Sequence, residues 1–191
     1  MKFIYTTDRL CLRTLDERSA DKILEFYNAG RDVFSRVESE KPSSFYTLSY
    51  QATLASMEFK AFLDGTYMRY YLFDITEPDT IIGTVSFSYF MPMPYYSCII
   101  GYKLLPGCCK KGYATEAVSF LTGCLFKEHK VHRIEAFCLP DNTPSINLLL
   151  RTGFEFESVA KSAIRLKDGF TDHRRYVLID YDSYASNTLY Q

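Results

Sequence analysis

A chain of 191 residues that is 47% hydrophobic and 24% charged has the composition of a folded globular protein rather than a disordered one. Its length suits one domain, residues 1–191, with a substantial core. The formal net charge of −1 excludes the broad basic face of a protein that wraps duplex nucleic acid. It leaves room for a small basic site for a phosphorylated ligand. No run of about 18 apolar residues is present to span a bilayer. The start MKFIYTTDRL lacks a signal-peptide pattern, so a cytoplasmic location with no membrane partner is expected.

The strand at Thr7–Leu15 comes first, with Leu10 and Leu12 on one face and Cys11 and Arg13 on the other. Asp16 opens a helix with Ser19 as candidate N-cap. Ala20, Ile23, Leu24 and Tyr27 form its apolar stripe, and Gly30 is its expected end. Lys41-Pro42-Ser43-Ser44 reads as a loop, and Leu48–Leu63 as a second helix stopped by Asp64-Gly65. These two helices could wall one side of a cleft. Three strands follow: Arg69–Ile75, Thr80–Phe90 and Tyr95–Leu105. The turn Glu77-Pro78-Asp79 and the breaker Met91-Pro92-Met93-Pro94 separate them, which predicts an antiparallel meander. Gly101 within the last strand predicts a bulge or a close backbone approach.

Lys103–Lys127 then runs from a strand end, through a Gly/Pro/Lys loop, into a helix with its apolar face at Ala114, Val118, Leu121 and Leu125. Backbone N–H groups and two ammonium groups at a helix N-terminus form an anion site, and phosphate is the anion expected. Val131–Leu139 is a strand. Asn142 or Thr143 caps the helix Pro144–Arg151, which Gly153 ends. The strands Glu155–Leu166 and His173–Ile179 flank the hairpin turn Lys167-Asp168-Gly169. The tail from Tyr181 has no strong pattern. The strand–helix–strand crossover of residues 95–139 places two strands parallel within a mixed sheet.

Six cysteines, Cys11, Cys98, Cys108, Cys109, Cys124 and Cys138, form no C-x-x-C pair. Only His129, His132 and His173 could join them, so no metal is expected. Several lie in apolar runs, as small buried hydrophobes do. Sixteen Tyr and fifteen Phe fit either an aromatic-lined cleft or simply a Tyr-rich composition.

The ordered set of motifs resembles the GCN5-related N-acetyltransferases (GNAT), in particular the ribosomal-protein N-acetyltransferase branch. Thr7-Asp8-Arg9-Leu10-Cys11-Leu12-Arg13 is similar to that branch's T-x-R-L-x-L-R opening. Ile82-Gly83 and Ile100-Gly101-Tyr102 fit its central and fourth strands. Gly112-Tyr113-Ala114-Thr115-Glu116-Ala117 is similar to its acetyl-CoA loop and helix. His132-Arg133-Ile134-Glu135-Ala136, Asn142, Ser145 and Gly153-Phe154 follow in order. The resemblance implies an α/β fold with a central, mostly antiparallel sheet flanked by helices, whose fourth and fifth strands splay apart. It implies transfer of an acetyl group from acetyl-CoA to a primary amine, either a protein N-terminal α-amine or a small molecule, within a ternary complex.

The resemblance also implies site roles. Pantetheine pairs with backbone near Lys103, Leu104 and Leu105. The pyrophosphate sits on the loop N–H groups of Cys109, Lys110, Lys111, Gly112, Tyr113 and Ala114, and Thr115 is a further cofactor-binding residue. Asn142 contacts the cofactor, and Ser145 protonates the departing thiolate, unless its hydroxyl is only a helix cap. Two departures stand out. Cys109 replaces the loop's usual Gln or Arg, and Lys110 stands where a second Gly is frequent. Ile99 and Ala163-Ile164 occupy positions where relatives carry a general-base Glu, leaving Glu135 and His173 as compositional candidates. The alternative reading is a catalytically silent acyl-CoA-binding or interaction module. A homodimer is compatible with either reading.

Overall fold

The computed structural model describes residues 1–182. Its sheet has eight strands: β1 (Ile4–Thr6), β2 (Leu10–Arg13), β3 (Met68–Asp74), β4 (Glu77–Met91), β5 (Ser97–Leu104), β6 (Arg133–Cys138), β7 (Glu155–Leu166) and β8 (Gly169–Ile179). They lie in the order β1-β2-β3-β4-β5-β6-β8-β7. All neighbours are antiparallel except β5 and β6. Helix α3 (Tyr113–Glu128) makes the crossover between that parallel pair, as the 95–139 pattern predicted. The other helices are α1 (Ala20–Phe34), α2 (Leu48–Leu63) and α4 (Thr143–Arg151).

Successive strand residues face opposite sides, and the sheet divides its apolar residues accordingly. Tyr70, Leu72, Val85, Phe87, Cys98, Ile100, Ile134 and Ala136 face the main core. There they meet Val118, Leu121 and Leu125 of α3 and Leu149 of α4. Tyr71 and Phe73 face the other side and pack with Ile23, Phe26, Tyr27 and Phe34 of α1 and Ala55 of α2. Each layer is therefore covered by one helix pair, which is how a two-faced sheet stays out of water.

Several boundaries differ from the sequence reading. The N-terminal strand is half of a hairpin, since Ile4–Thr6 pairs with Cys11–Arg13. Helix α1 runs through Gly30 to Phe34. A Cβ at Gly30 would lie 2.0 Å from the Phe34 ring, so the glycine makes room for an aromatic and does not end the helix. Ser19 makes no side-chain cap bond. Asp16 instead caps the preceding 3₁₀ turn by accepting from the Arg18 N–H. The expected turn at Glu77-Pro78-Asp79 lies inside β4, and Asp74 pairs directly with Glu77 around Ile75-Thr76. The expected bulge is also displaced. The β4–β5 irregularity falls between Ser88 and Met91, where Tyr89 takes φ 52°, while Ser86↔Gly101 is in regular register. The tail beyond residue 182 lies outside the described residues.

Candidate active site

The pairing of β5 with β6 stops at Ile100↔Ala136. Beyond it, β5 continues to Leu104 against β4, and β6 continues to Cys138 against β8. Two strands thus diverge from adjacent positions, and a cleft of about 230 Å³ opens between them. Its lining includes Gly101, Tyr102 and Lys103 from β5, Phe137 and Cys138 from β6, and Asn142 and Ser145 from α4. Gly101 marks where the split begins. A Cβ there would come to 3.2 Å from Ser86 Oγ, so the close-approach reading holds where the bulge reading fails.

The two mouths of the cleft have different chemistry. On the α3/α4 side, Tyr102 and Ser145 share a hydrogen bond of 2.7 Å between hydroxyls. Asn142 Oδ1 accepts from the Ser145 N–H at 3.3 Å and caps α4. The Ser145 hydroxyl is therefore not a helix cap, and the Asn142 carboxamide keeps its N–H donors. Burial drives the Tyr102 phenol well above its ordinary range, with the Ser145 contact opposing, so this pair is neutral and protonated around pH 7. The sequence places Tyr102 in the Ile100-Gly101-Tyr102 strand motif and assigns its side chain no role at the site.

On the α1/α2 side, the register row Arg69–Ser86–Gly101 crosses three strands, and Lys103 lies one step further along the same face. Lys103 pairs with Glu38, and its ammonium lies 5.2 Å from the ring centres of Tyr27 and Phe34. Burial lowers its pKa, with Glu38 opposing. Arg69 bonds Glu58 at 3.1 Å and the Tyr27 hydroxyl at 2.7 Å. Burial pushes the Glu58 carboxyl up, with Arg69 opposing. So the Lys103 side chain belongs to this acidic–basic cluster.

The Cys109–Thr115 loop lies beyond the end of β5. Lys110 takes φ 62° and Gly112 φ 85°, both left-handed, which explains why glycine suits the Lys110 position. The first α-helical bond runs from the Glu116 N–H to Gly112 O. The N–H groups just ahead of it sit at the positive end of α3. Cys109, Lys110 and Lys111 are exposed there. Arg9, in the turn just ahead of β2, braces the loop. It pairs with Glu116 at 2.6 Å, donates to Lys111 O at 2.8 Å and lies over the Tyr113 ring. The Tyr113 hydroxyl bonds Asp74.

The two base candidates separate cleanly. Glu135 bonds Arg133 at 2.8 Å, and Arg175 bridges it to Glu157. It is held in an ion-pair network outside the cleft. His173 is buried in the cleft wall. Among the described residues no cluster of His, Cys, Asp and Glu could hold a metal ion, and no helix is long and apolar enough to cross a membrane.

The sequence pattern of the Acetyltransferase (GNAT) domain matches residues 9–155. The chain is 31% identical over 170 residues to the [ribosomal protein uS5]-alanine N-acetyltransferase of Escherichia coli (strain K12), covering 88% of this chain and 86% of that one. It superposes with TM-score 0.89 at 24% identity on the ribosomal-protein-S5-alanine acetyltransferase of Vibrio fischeri, covering 95% of this chain and 98% of the other. It superposes with TM-score 0.82 at 20% identity on Mycobacterium smegmatis RimJ, solved in complex with CoA-disulfide, covering 93% and 89%. Because the domain pattern spans well over half its length and a relative above 30% identity aligns over most of both chains, the chain belongs to the GNAT family of N-acetyltransferases.

Proposed function

We propose that this acetyltransferase, a single domain over residues 1–191, acetylates the α-amine of a peptide or protein N-terminus in the cytoplasm. Acetyl-CoA is the acetyl donor of the family, and the chain's residues fit it. The β5 edge from Gly101 to Leu104 lies beyond the last β5–β6 pair and offers backbone on the side facing β6, suited to an extended amide-bearing arm that adds like a strand. Loop N–H groups, Lys110 and Lys111 suit a pyrophosphate. The Asn142 N–H donors suit an amide carbonyl of the same ligand.

When bound, acetyl-CoA supplies an activated acyl carbon and a thiolate leaving group. The protein's part is to hold the acceptor nitrogen against that carbon, which supplies much of the rate, and to aim a β5 N–H at the carbonyl oxygen. The Ser145 hydroxyl, replenished through Tyr102, delivers a proton to the departing sulfur. The α1/α2 mouth, with Glu38, Glu58 and Arg69, receives the amine.

The observation that carries the α-amine reading is the lack of a carboxylate at Ile99 and at Ala163-Ile164. An α-amine, which titrates near 7.7–8.0, is close enough to neutrality for a weak base to deprotonate it at pH 7, whereas a lysine side chain near 10.4 is not. The relative whose name specifies an N-terminal alanine points the same way. The test is a thermal-shift titration with acetyl-CoA followed by turnover on matched peptides. Peptides with a free α-amine and no lysine are expected to be acetylated. Efficient lysine acetylation with poor α-amine turnover overturns the reading. Binding without turnover on any amine supports the silent-module alternative.

A further inference from the structure

His173 lies on β8 where the sheet is split. Its chain neighbour Arg174 pairs with Cys138, the last residue of β6, so His173 sits one residue past the end of that pairing and borders the gap. Tyr176 faces the main core under α3 and α4. His173, three residues earlier, falls on the opposite face by the strand alternation. That is the face of Arg69, Ser86, Gly101 and Lys103, across the gap from the Ser145–Tyr102 pair.

The ring's tautomer is fixed by its partners. Nδ1 lies 3.2 Å from the carbonyl oxygen of Thr171, which can only accept. It also lies 3.4 Å from Thr171 Oγ1, whose own hydrogen is donated to Ile164 O at 3.0 Å. Both neighbours require a proton on Nδ1. The neutral ring then carries its lone pair on Nε2, for which no protein partner is recorded among the described residues. A buried imidazole held in one tautomer, its basic nitrogen left free beside a substrate cleft, has the arrangement of a general base.

We infer that His173 is the general base of this site, taking the proton of the acceptor ammonium through Nε2. The inference rests on the acetyl-transfer reading above. Over one turnover the ammonium gives up two protons. One passes through Nε2, directly or by way of one water, to solvent. The nitrogen lone pair then forms the bond to the acetyl carbon, and the carbon–sulfur bond breaks. The second nitrogen-bound proton balances the one that the Ser145–Tyr102 pair gives to sulfur. The charged groups around the cleft are Glu38, Lys103 and Arg69 opposite. Asp172, bonded to Lys161, and Arg174 adjoin the ring in sequence. Arg175 lies two residues along on the same face, paired with Glu135 and Glu157. The cations of this set largely have carboxylate partners, so the ring is not wedged against a bare positive charge.

The test compares wild type with His173→Gln and His173→Asn on an α-amine peptide. Expected are a fall of about 100-fold or more in kcat/KM, loss of the acid limb of its pH profile, and acetyl-CoA binding within about threefold of wild type. Asn places an amide near Nδ1 and retains the Thr171 contact, so a folded Asn variant that is equally slow separates the base from a packing role. Thermal melts of both variants establish that they fold. Turnover within about threefold of wild type with the acid limb intact overturns the inference and leaves the acetyltransferase reading standing. A wild type that acetylates no amine overturns the reading beneath it.

Discussion

Ser145 and Tyr102 form a hydroxyl pair that reaches the gap from the α3/α4 side. Removing the serine hydroxyl removes the nearest proton donor while leaving the α4 cap on Asn142 intact. Ser145→Ala is expected to lower kcat about 10²-fold with little change in melting temperature, and steady-state kinetics beside a thermal melt check both. Lys110 is a different kind of residue: its left-handed backbone costs a non-glycine residue about 1–2 kcal/mol. Part of that is offset because glycine adds about 0.4–1 kcal/mol of disorder to the unfolded chain. Lys110→Gly is thus expected to stabilise the fold by about 0–1.6 kcal/mol while weakening acetyl-CoA binding through the lost charge. Calorimetry with and without ligand separates the two effects.

Among elements, the loop ahead of α3 is held from outside. Arg9, just ahead of β2, and Asp74, the last residue of β3, reach it, so the loop proposed to hold the phosphates depends on segments distant in sequence. Hydrogen bonds from the Tyr113 hydroxyl and then from Thr76 pull the Asp74 carboxyl down to about 2 from an ordinary 3.8. A carboxyl depressed on folding stabilises while ionised. Its contribution is complete above about pH 4 and fades as pH falls toward 2. The melting-temperature gap between wild type and Asp74→Asn should narrow over that interval, and a gap independent of pH refutes the assignment. Arg9→Met should weaken acetyl-CoA binding without disturbing β2.

Local patterns made the helices, the parallel crossover and the glycine-bearing loop legible in the sequence. What stayed hidden needs partners far along the chain. Gly30 carries a stop signal that the Phe34 ring overrides. Pro78 carries a turn signal, but the Asp74↔Glu77 pairing sets the turn two residues earlier. Motif order pointed to Ser145 and Asn142, both of which line the cleft, and to the loop ahead of α3. Glu38 and Arg69 reach the cleft only through the packing of α1, α2 and β3, and no spacing rule announces them.

At the scale of the molecule, two cores of different character flank one sheet. The core under α3 and α4 supports the proposed donor side. The aromatic core around Phe26, Tyr27, Phe34 and Phe45 supports the proposed acceptor side, where Tyr27 and Phe34 also flank Lys103. Phe26 is fully buried, so Phe26→Ala should cost about 3–5 kcal/mol in chemical denaturation. Its functional effect should fall on the amine KM more than on acetyl-CoA affinity.

The gap between β5 and β6 is V-shaped, closed at Ile100↔Ala136 and open toward Leu104 and Cys138. In topological terms it is a slot and not a ring. A dumbbell-shaped inhibitor, with a nucleotide at one end and a peptide at the other, need not thread either bulky end through the sheet. It can slide in sideways with its narrow waist between the strands, and the tie between its halves raises the effective concentration of each toward the millimolar range. A covalent staple across the open end of the V would convert slot to ring. That staple would shut out the dumbbell while still admitting each half from its own face, and inhibition by the two kinds of ligand would part company.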